Sequence, residues 1–143
     1  MPRNKHILAV ILWMSAIFLF STELFSSSNT SSILGPLIVS LFPSLTADQL
    51  DSLHLLLRKF GHWSEYALLG MLLRRAVAGR FPLWQKNRQC SYALVIATLY
   101  AASDEWHQSF VPSRSASIID VLIDSFGALC AILWYSWRRR NRD

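Results

Sequence analysis

Four apolar segments divide this chain, and the ionisable residues near three of them collect at one end. The segments cover about residues 7–25, 61–78, 90–107 and 118–137. Each approaches the ~20 residues that a helix needs to cross a bilayer. Charged residues make up only 16% of the chain, whereas soluble chains carry about 25%. The pattern predicts an all-α membrane protein with four transmembrane helices in a single domain over residues 1–143.

The basic residues predict the orientation of these segments. Eleven of the 14 lysine and arginine residues are assigned to the amino terminus, to the loop between the second and third segments, or to the tail after the fourth, when Arg74 and Arg75 at the end of the second segment are counted with that loop. Because basic residues remain mainly in cytoplasmic loops, we expect both termini to be cytoplasmic. The net charge of +5 comes from basic residues that lie beside apolar segments. This placement indicates the lipid bilayer, not nucleic acid, as the partner. Cleavage of the first segment as a signal peptide is the alternative, although its length favours an uncleaved anchor.

The long first outer loop, residues 26–60, contains one further predicted helix. Thr46 is a good N-cap, Asp48 suits the first turn, and Leu50 and Leu53 share a face with Leu57. We expect a short outer helix that lies along the membrane interface and leads into the second span. An ordinary loop helix packed on the bundle is the alternative.

Polar and small side chains share one face of each of the last three segments. In each segment the polar residues lie at the predicted outer end, and glycine or alanine continues the same face toward the inner end at helical spacing. Small residues let helices approach closely inside lipid, so this face is predicted to point into the bundle. The charged residues then converge on an outward-facing polar pocket. They include Lys59, His62, Glu65, Asp104, Glu105, His107, Arg114, Asp120 and Asp124.

Three motifs follow one another in this polar part of the chain. Residues 59–66 fit the pattern KxxHxxEY, and residues 104–114 fit DExxQxFxPxR. Asp120, Asp124 and Gly127 follow with the spacing of a DxxxN motif and its glycine. Over about residues 57–133 the chain thereby resembles the VanZ-like family of bacterial integral membrane proteins.

The resemblance implies a multi-pass protein of the bacterial cell (plasma) membrane, the inner membrane. The founding member of the family is linked to antibiotic resistance, namely resistance to the glycopeptide teicoplanin. The resemblance implies no particular cofactor, so the cofactor is unknown. Two positions depart from the motifs. Ser113 replaces a usual glycine, and Asp124 replaces a usual asparagine, which adds a negative charge to the predicted pocket.

The leading hypothesis is a cell-envelope protein that binds or modifies a lipid-linked or surface component and thereby affects glycopeptide susceptibility. Whether it is an enzyme is left open. Glu65, His62 and Asp104 are the candidate catalytic residues, as acid–base groups. The planar guanidinium of Arg114 suits a phosphate or carboxylate. The candidate substrate-binding residues are Lys59, Tyr66, Glu105, Gln108, Arg114, Asp120 and Asp124.

A bound metal is a further hypothesis for the same pocket. His62 with Glu65, and Asp104 with His107, are carboxylate–imidazole pairs one helical turn apart. Such pairs on facing helices form metal sites in the cores of helix bundles, so these four are the candidate ligands. Five acidic residues also face three basic ones at membrane depth. This excess requires protonated carboxylates, charged histidines or a bound cation.

Two other classes of function remain as alternatives. The polar residues could form a structural network in a non-catalytic scaffold for envelope enzymes. The chain could instead be a proton-coupled carrier in which Glu65 or Asp124 titrates, although four spans without paired halves count against a carrier. The sequence does not indicate an oligomeric state.

The predicted topology can be tested by cysteine labelling in a variant whose two native cysteines are replaced by alanine. Cysteine at Ser28 or Ser113 should react with an impermeant maleimide on intact spheroplasts, because both positions are predicted to face outward. Cysteine at Gln85 should react only after lysis. Labelling of the Gln85 position alone would reverse the orientation and, with it, the side on which the pocket opens.

Overall fold

Four long helices dominate the described part of the chain. The computed structural model describes residues 3–22, 35–112, 114 and 116–141. Those residues form helices and turns without any strand, which confirms the all-α class. Ser28, Ser113 and residues 23–25 of the predicted first span lie outside them. The helices are α1 (Arg3–Phe20), α2 (residues 35–41), α3 (Ala47–Arg80), α4 (Lys86–Gln108) and α5 (Ile118–Arg140).

Helix α3 is a single helix of 34 residues. The Thr46 hydroxyl accepts a hydrogen bond from the backbone N–H of Gln49 at 3.4 Å, and the Gln49 side chain accepts one from the N–H of Thr46 at 3.0 Å. This capping box confirms the predicted start. The helix leads into the predicted second span as expected, but the prediction that it is a short helix distinct from that span is wrong, because residues 47–57 continue into the span without interruption. No proline interrupts α3, and each of its three internal glycines costs only about 1 kcal/mol.

Helices α3 and α5 pack parallel to each other. Lys59 of α3 contacts Asp120 near the start of α5, with Nζ and Oδ1 2.8 Å apart. Farther along both helices, Arg74 Nε donates to Ser136 Oγ at 3.1 Å. The two contacts keep the same order in both helices, so α3 and α5 run in one direction.

Helix α1 runs parallel to α4 and antiparallel to α3. The Tyr100 hydroxyl of α4 donates to the Met14 carbonyl at 2.6 Å, and Gln108 reaches Ser21 at 3.5 Å. The Trp13 indole N–H donates to the carbonyl of Glu65 in α3 at 2.9 Å. The long helices therefore alternate in direction along the chain, which places the end of α1, the end of α4 and the start of α5 together.

The interior is built from small and apolar side chains around α3, which contacts α1, α4 and α5. Ala93, Ala97 and Ala101, the predicted small stripe of α4, are all fully buried. Many large side chains of the outer faces are exposed, including Leu99 and Leu122. The result is a bundle with small and apolar residues and some polar ones inside, and with many large apolar residues on its outer surface.

One described helix segment, Ile118–Arg139, is long and apolar enough to cross a membrane. The apolar stretch Asn4–Phe20 of α1 is shorter, and α1 is described only as far as Phe20. Helices α3 and α4 carry ionisable residues that lower their mean hydropathy. The apolar helix α5 fits a membrane protein, whereas the count of four spans stays a prediction.

Two glycines let the backbones of α3 and α5 touch. A Cβ atom on Gly70 would lie 2.6 Å from the carbonyl oxygen of Ala128, and a Cβ atom on Gly127 would overlap the carbonyl oxygen of Trp63. In both cases the obstacle is backbone, which cannot rotate out of the way. Close helix approach at small residues is the packing mode expected inside lipid.

The contact between α3 and α5 can be tested by adding a single methyl group. Gly70→Ala or Gly127→Ala should lower the free energy of unfolding by about 1–3 kcal/mol, because overpacking forces the helices apart. Gly61→Ala is the matched control, since a Cβ atom there meets nothing within 4 Å. It should raise stability by about 0.5–1 kcal/mol, the usual benefit of replacing a helical glycine. Unfolding in detergent micelles measures all three, and equal effects would contradict the packing described.

Candidate functional site

Buried polar side chains gather where α1 and α4 end and α5 begins. The middle of α3 completes the group, so α3, α4 and α5 contribute, together with Ser21 just after the end of α1. We call this group the polar cluster. Each member is less than a tenth exposed, and Gln108 and Asp124 are fully buried. Its members are Ser21, His62, Asp104, Glu105, Gln108, Asp120 and Asp124.

An ion pair closes one side of the polar cluster. Lys59 Nζ lies 2.8 Å from Asp120 Oδ1, and the lysine side chain is one-third exposed while that of the aspartate is 10% exposed. The pair joins α3 to the first turn of α5, where a carboxylate also suits the helix dipole. Asp120 is therefore engaged by a protein cation.

Asp124, one turn farther into α5, has a different environment. Its Oδ1 lies 3.5 Å from His62 Nδ1, a distance at which a hydrogen bond is weak. Neither carboxylate oxygen has a hydrogen-bond partner among the described residues, and His62 Nδ1 has none either. A fully buried carboxylate without hydrogen bonds is costly, so this pair is the least satisfied part of the polar cluster.

Glu105 is held at the corner between α4 and α5. The backbone N–H of Ser117 donates to Glu105 Oε2 at 2.8 Å. Ser117 also caps α5, since its hydroxyl accepts from the N–H of Ile119 at 3.2 Å. The other carboxylate oxygen, Oε1, is buried and has no hydrogen-bond partner among the described residues. The corner thus fixes the carboxylate and leaves one oxygen available.

Gln108 links the polar cluster to α1. Its Nε2 donates to Asp104 Oδ2 at 3.1 Å and reaches Ser21 Oγ at 3.5 Å. Ser21 was not among the predicted site residues. Helical spacing could have identified Ser21 as an inward-facing residue. It lies four residues after Ile17 and eleven after Val10, which are both buried and mark the inner face of α1.

Arg114 fastens the loop between α4 and α5 to the end of α1. Its Nη2 donates to the Phe20 carbonyl at 2.7 Å and approaches that of Thr22 at 3.5 Å. Burial, together with the nearby Arg58, lowers the pKa of the Arg114 guanidinium from its usual value. An arginine nevertheless stays charged in proteins. One guanidinium nitrogen of Arg114, the predicted anion-binding residue, is thus bonded to the end of α1.

The remaining predicted residues of α3 line the inner edge of the polar cluster. Glu65 is half-buried and interacts electrostatically with His62, Asp104 and Asp124. Tyr66 is fully buried, and its hydroxyl has no hydrogen-bond partner among the described residues. The structure therefore brings the predicted catalytic and substrate-binding residues to one place.

Three side chains could share a metal ion. One ligand atom each of His62, Glu105 and Asp124 lies within 4.8 Å of the others. Of the four predicted ligands only His62 belongs to this group, whereas Glu65, Asp104 and His107 do not. The ring of His107 packs against Phe18 of α1, with centroids 4.6 Å apart.

A second polar group lies at the opposite end of the bundle. Arg74 is 4% exposed and donates from Nε to Ser136 Oγ, and that hydroxyl lies 3.3 Å from Cys90 Sγ. Gln89 Nε2 donates to the Phe81 carbonyl at 2.7 Å. The assignment of Arg74 to the loop between the second and third spans is therefore wrong. It belongs to α3, and its partner on α5 draws it into the bundle.

A comparison with models of protein families supports the family resemblance that the motifs indicated. No curated protein and no solved structure matches the chain. A family model described as VanZ/LLP1 matches residues 6–139, nearly the whole chain, and so includes α1 as well as the motif-bearing helices. The chain therefore belongs to the VanZ family.

Proposed function

We propose that this chain is a four-span protein of the bacterial cell membrane whose polar cluster binds the polar head of a lipid-linked or surface component of the envelope. Through that binding it affects susceptibility to glycopeptides of the teicoplanin type. Both termini are cytoplasmic in this proposal, and the polar cluster opens outward. Family membership and the apolar helix α5 support the membrane location.

One observation carries the proposal. Helices α3, α4 and α5, together with Ser21 just after α1, place buried polar side chains at one end of the bundle, while the outer faces of the long helices are largely apolar. Ionisable residues at membrane depth cost free energy, and they occur mainly where they face a substrate site or an ion pathway. Several of their atoms have no hydrogen-bond partner among the described residues, including Asp104 Oδ1, Glu105 Oε1 and Tyr66 Oη. These atoms can receive a ligand without first breaking a protein contact.

The composition of the polar cluster favours a ligand that has both an anionic and a hydroxyl-rich part. Lys59 and Arg114 lie at its edge and supply positive charge for a phosphate or carboxylate. The amide of Gln108 and the hydroxyl of Tyr66 suit neutral polar groups. If the bound component reacts, Glu65 and His62 are the acid–base candidates, with Asp104 beside them.

The proposal predicts that resistance depends on Glu65. Expression in a susceptible Gram-positive host should raise the teicoplanin concentration that inhibits growth. Glu65→Gln should abolish this increase while the amount of protein in the membrane stays near normal, because the change removes a charge and keeps the shape. Asp51→Asn is the matched control, since Asp51 is an exposed acid on the same helix, and it should behave like wild type.

A scaffold with a structural polar network is the competing function. The Lys59–Asp120 pair and the Arg114–Phe20 bond favour it, because both join helices without needing a ligand. On this hypothesis Glu65→Gln lowers the abundance and the unfolding temperature of the protein. The resistance conferred per molecule stays the same. Measuring abundance, unfolding temperature and inhibitory concentration in the same strains separates the two functions.

Bound lipid gives a direct measurement. Wild-type protein and Asp51→Asn, purified in a mild detergent, should retain a lipid-linked envelope component with a phosphate or carboxylate headgroup, distinct in mass from the bulk phospholipids, in native mass spectrometry. Arg114→Lys keeps one positive charge but loses the planar fork, and it should retain at least tenfold less of that lipid. Equal retention by all three proteins, or retention of bulk phospholipid alone, would contradict a specific headgroup site.

A further inference from the structure

We infer that His62, Glu105 and Asp124 bind a divalent transition-metal ion such as Zn²⁺ or Mn²⁺. Each residue comes from a different helix, α3, α4 and α5 respectively, so the site exists only in the assembled bundle. One nitrogen and two carboxylate oxygens form the ligand set. Imidazole and carboxylate are ligands that both of these ions accept.

The distances suit such an ion. His62 Nδ1 and Asp124 Oδ1 are 3.5 Å apart. Two ligands at about 2.1 Å from a tetrahedral ion lie about 3.4 Å from each other. All three ligand atoms lie within 4.8 Å of one another, so a small side-chain rotation toward the common centre brings the third into range.

The hydrogen bonding of the three residues also indicates a shared ligand. His62 Nδ1, Glu105 Oε1 and both oxygens of Asp124 are buried and have no hydrogen-bond partner among the described residues. Glu105 is already oriented by the Ser117 N–H at its other oxygen, 2.8 Å away. Metal ligands are commonly held in this way by a second hydrogen bond that fixes their orientation.

Charge balance favours a divalent ion over a proton. Glu105 and Asp124 bring two carboxylates into a buried space, being 4% and 0% exposed. A proton on His62 would offset one of these charges, whereas a divalent ion offsets both and leaves the imidazole as a neutral ligand. The nearest lysine does not take this role, because Lys59 is paired with Asp120.

This inference deepens the proposed function. The identity of the ligand that fills the open coordination position of the metal rests on that proposed function. Three protein ligands leave at least one coordination position open. A phosphate or carboxylate headgroup that enters the polar cluster can occupy this position. The metal itself depends only on the three side chains, so metal binding and lipid binding can be measured separately.

The test uses the full chain in detergent with a streptavidin-binding tag, because a histidine tag would itself hold metal. After loading with Zn²⁺ or Mn²⁺ and gel filtration, elemental analysis should find about one ion per chain. His62→Gln, Glu105→Gln and Asp124→Asn should each weaken binding at least tenfold in titrations. His107→Gln and Asp51→Asn are the matched controls, a histidine and an acid outside the group, and both should bind like wild type.

Two further measurements distinguish the loss of the metal site from poor folding of a variant. Metal should raise the unfolding temperature of wild type and of the controls but not of the three variants, since only a native-state ligand stabilises. Mn²⁺ bound to wild type should show nitrogen coupling in pulsed electron paramagnetic resonance, and His62→Gln should lose it.

The outcomes separate this inference from the proposed function. Less than about one ion per ten chains after loading, or equal binding by all the variants, overturns the metal site even if the headgroup lipid is retained. Stoichiometric binding that the three substitutions weaken supports the site even if no lipid is found, in which case only the proposed function fails.

Discussion

The close approach of α3 and α5 sets the register on which the rest of the bundle depends. With Gly70 against the backbone of Ala128 and Gly127 against that of Trp63, neither helix can slide along the other without a clash. A shift of one turn, about 5.4 Å, would carry Asp124 away from His62. Two positions without side chains therefore determine which charged groups meet at either end.

The polar cluster is maintained by contacts that use backbone groups at helix ends. The Ser117 N–H holds Glu105, and the carbonyl of Phe20 holds Arg114. The first and last turns of a helix leave backbone donors and acceptors unpaired, and here charged side chains satisfy some of them. The same contacts tie α1, α4 and α5 together, so the site and the end of the bundle are stabilised by one set of interactions.

The sequence predicted the composition of the site better than its pairings. Helical spacing identified the inward faces, and the small stripe of α4 is buried as expected. Spacing along one helix does not reveal which residue of another helix lies opposite. Glu105 was therefore separated from His62 in the metal hypothesis, although the structure brings them together. One-turn pairs such as Asp104 and His107 were favoured because their proximity is visible within a single segment.

Two errors have a common physical origin. Arg74 was assigned to a loop because arginine at the end of an apolar segment usually marks the membrane boundary. Its burial follows from Ser136, a partner on another helix. The helix that begins after Thr46 was likewise expected to be short and to lie along the interface, whereas backbone continuity depends on helix formers and on the absence of proline. Polarity describes the surroundings of a helix, and it does not mark where the helix ends.

The uninterrupted α3 has a mechanical consequence. At about 1.5 Å per residue, its 34 residues extend about 51 Å, against about 35 Å for the 23 residues of α5. Since Lys59 already lies beside Asp120 near the start of α5, the excess projects beyond the polar cluster. Helices bend sharply only at features such as proline, which this stretch does not contain. The projecting turns and the turns that carry His62 and Glu65 therefore belong to one continuous helix, and they cannot change direction independently of each other.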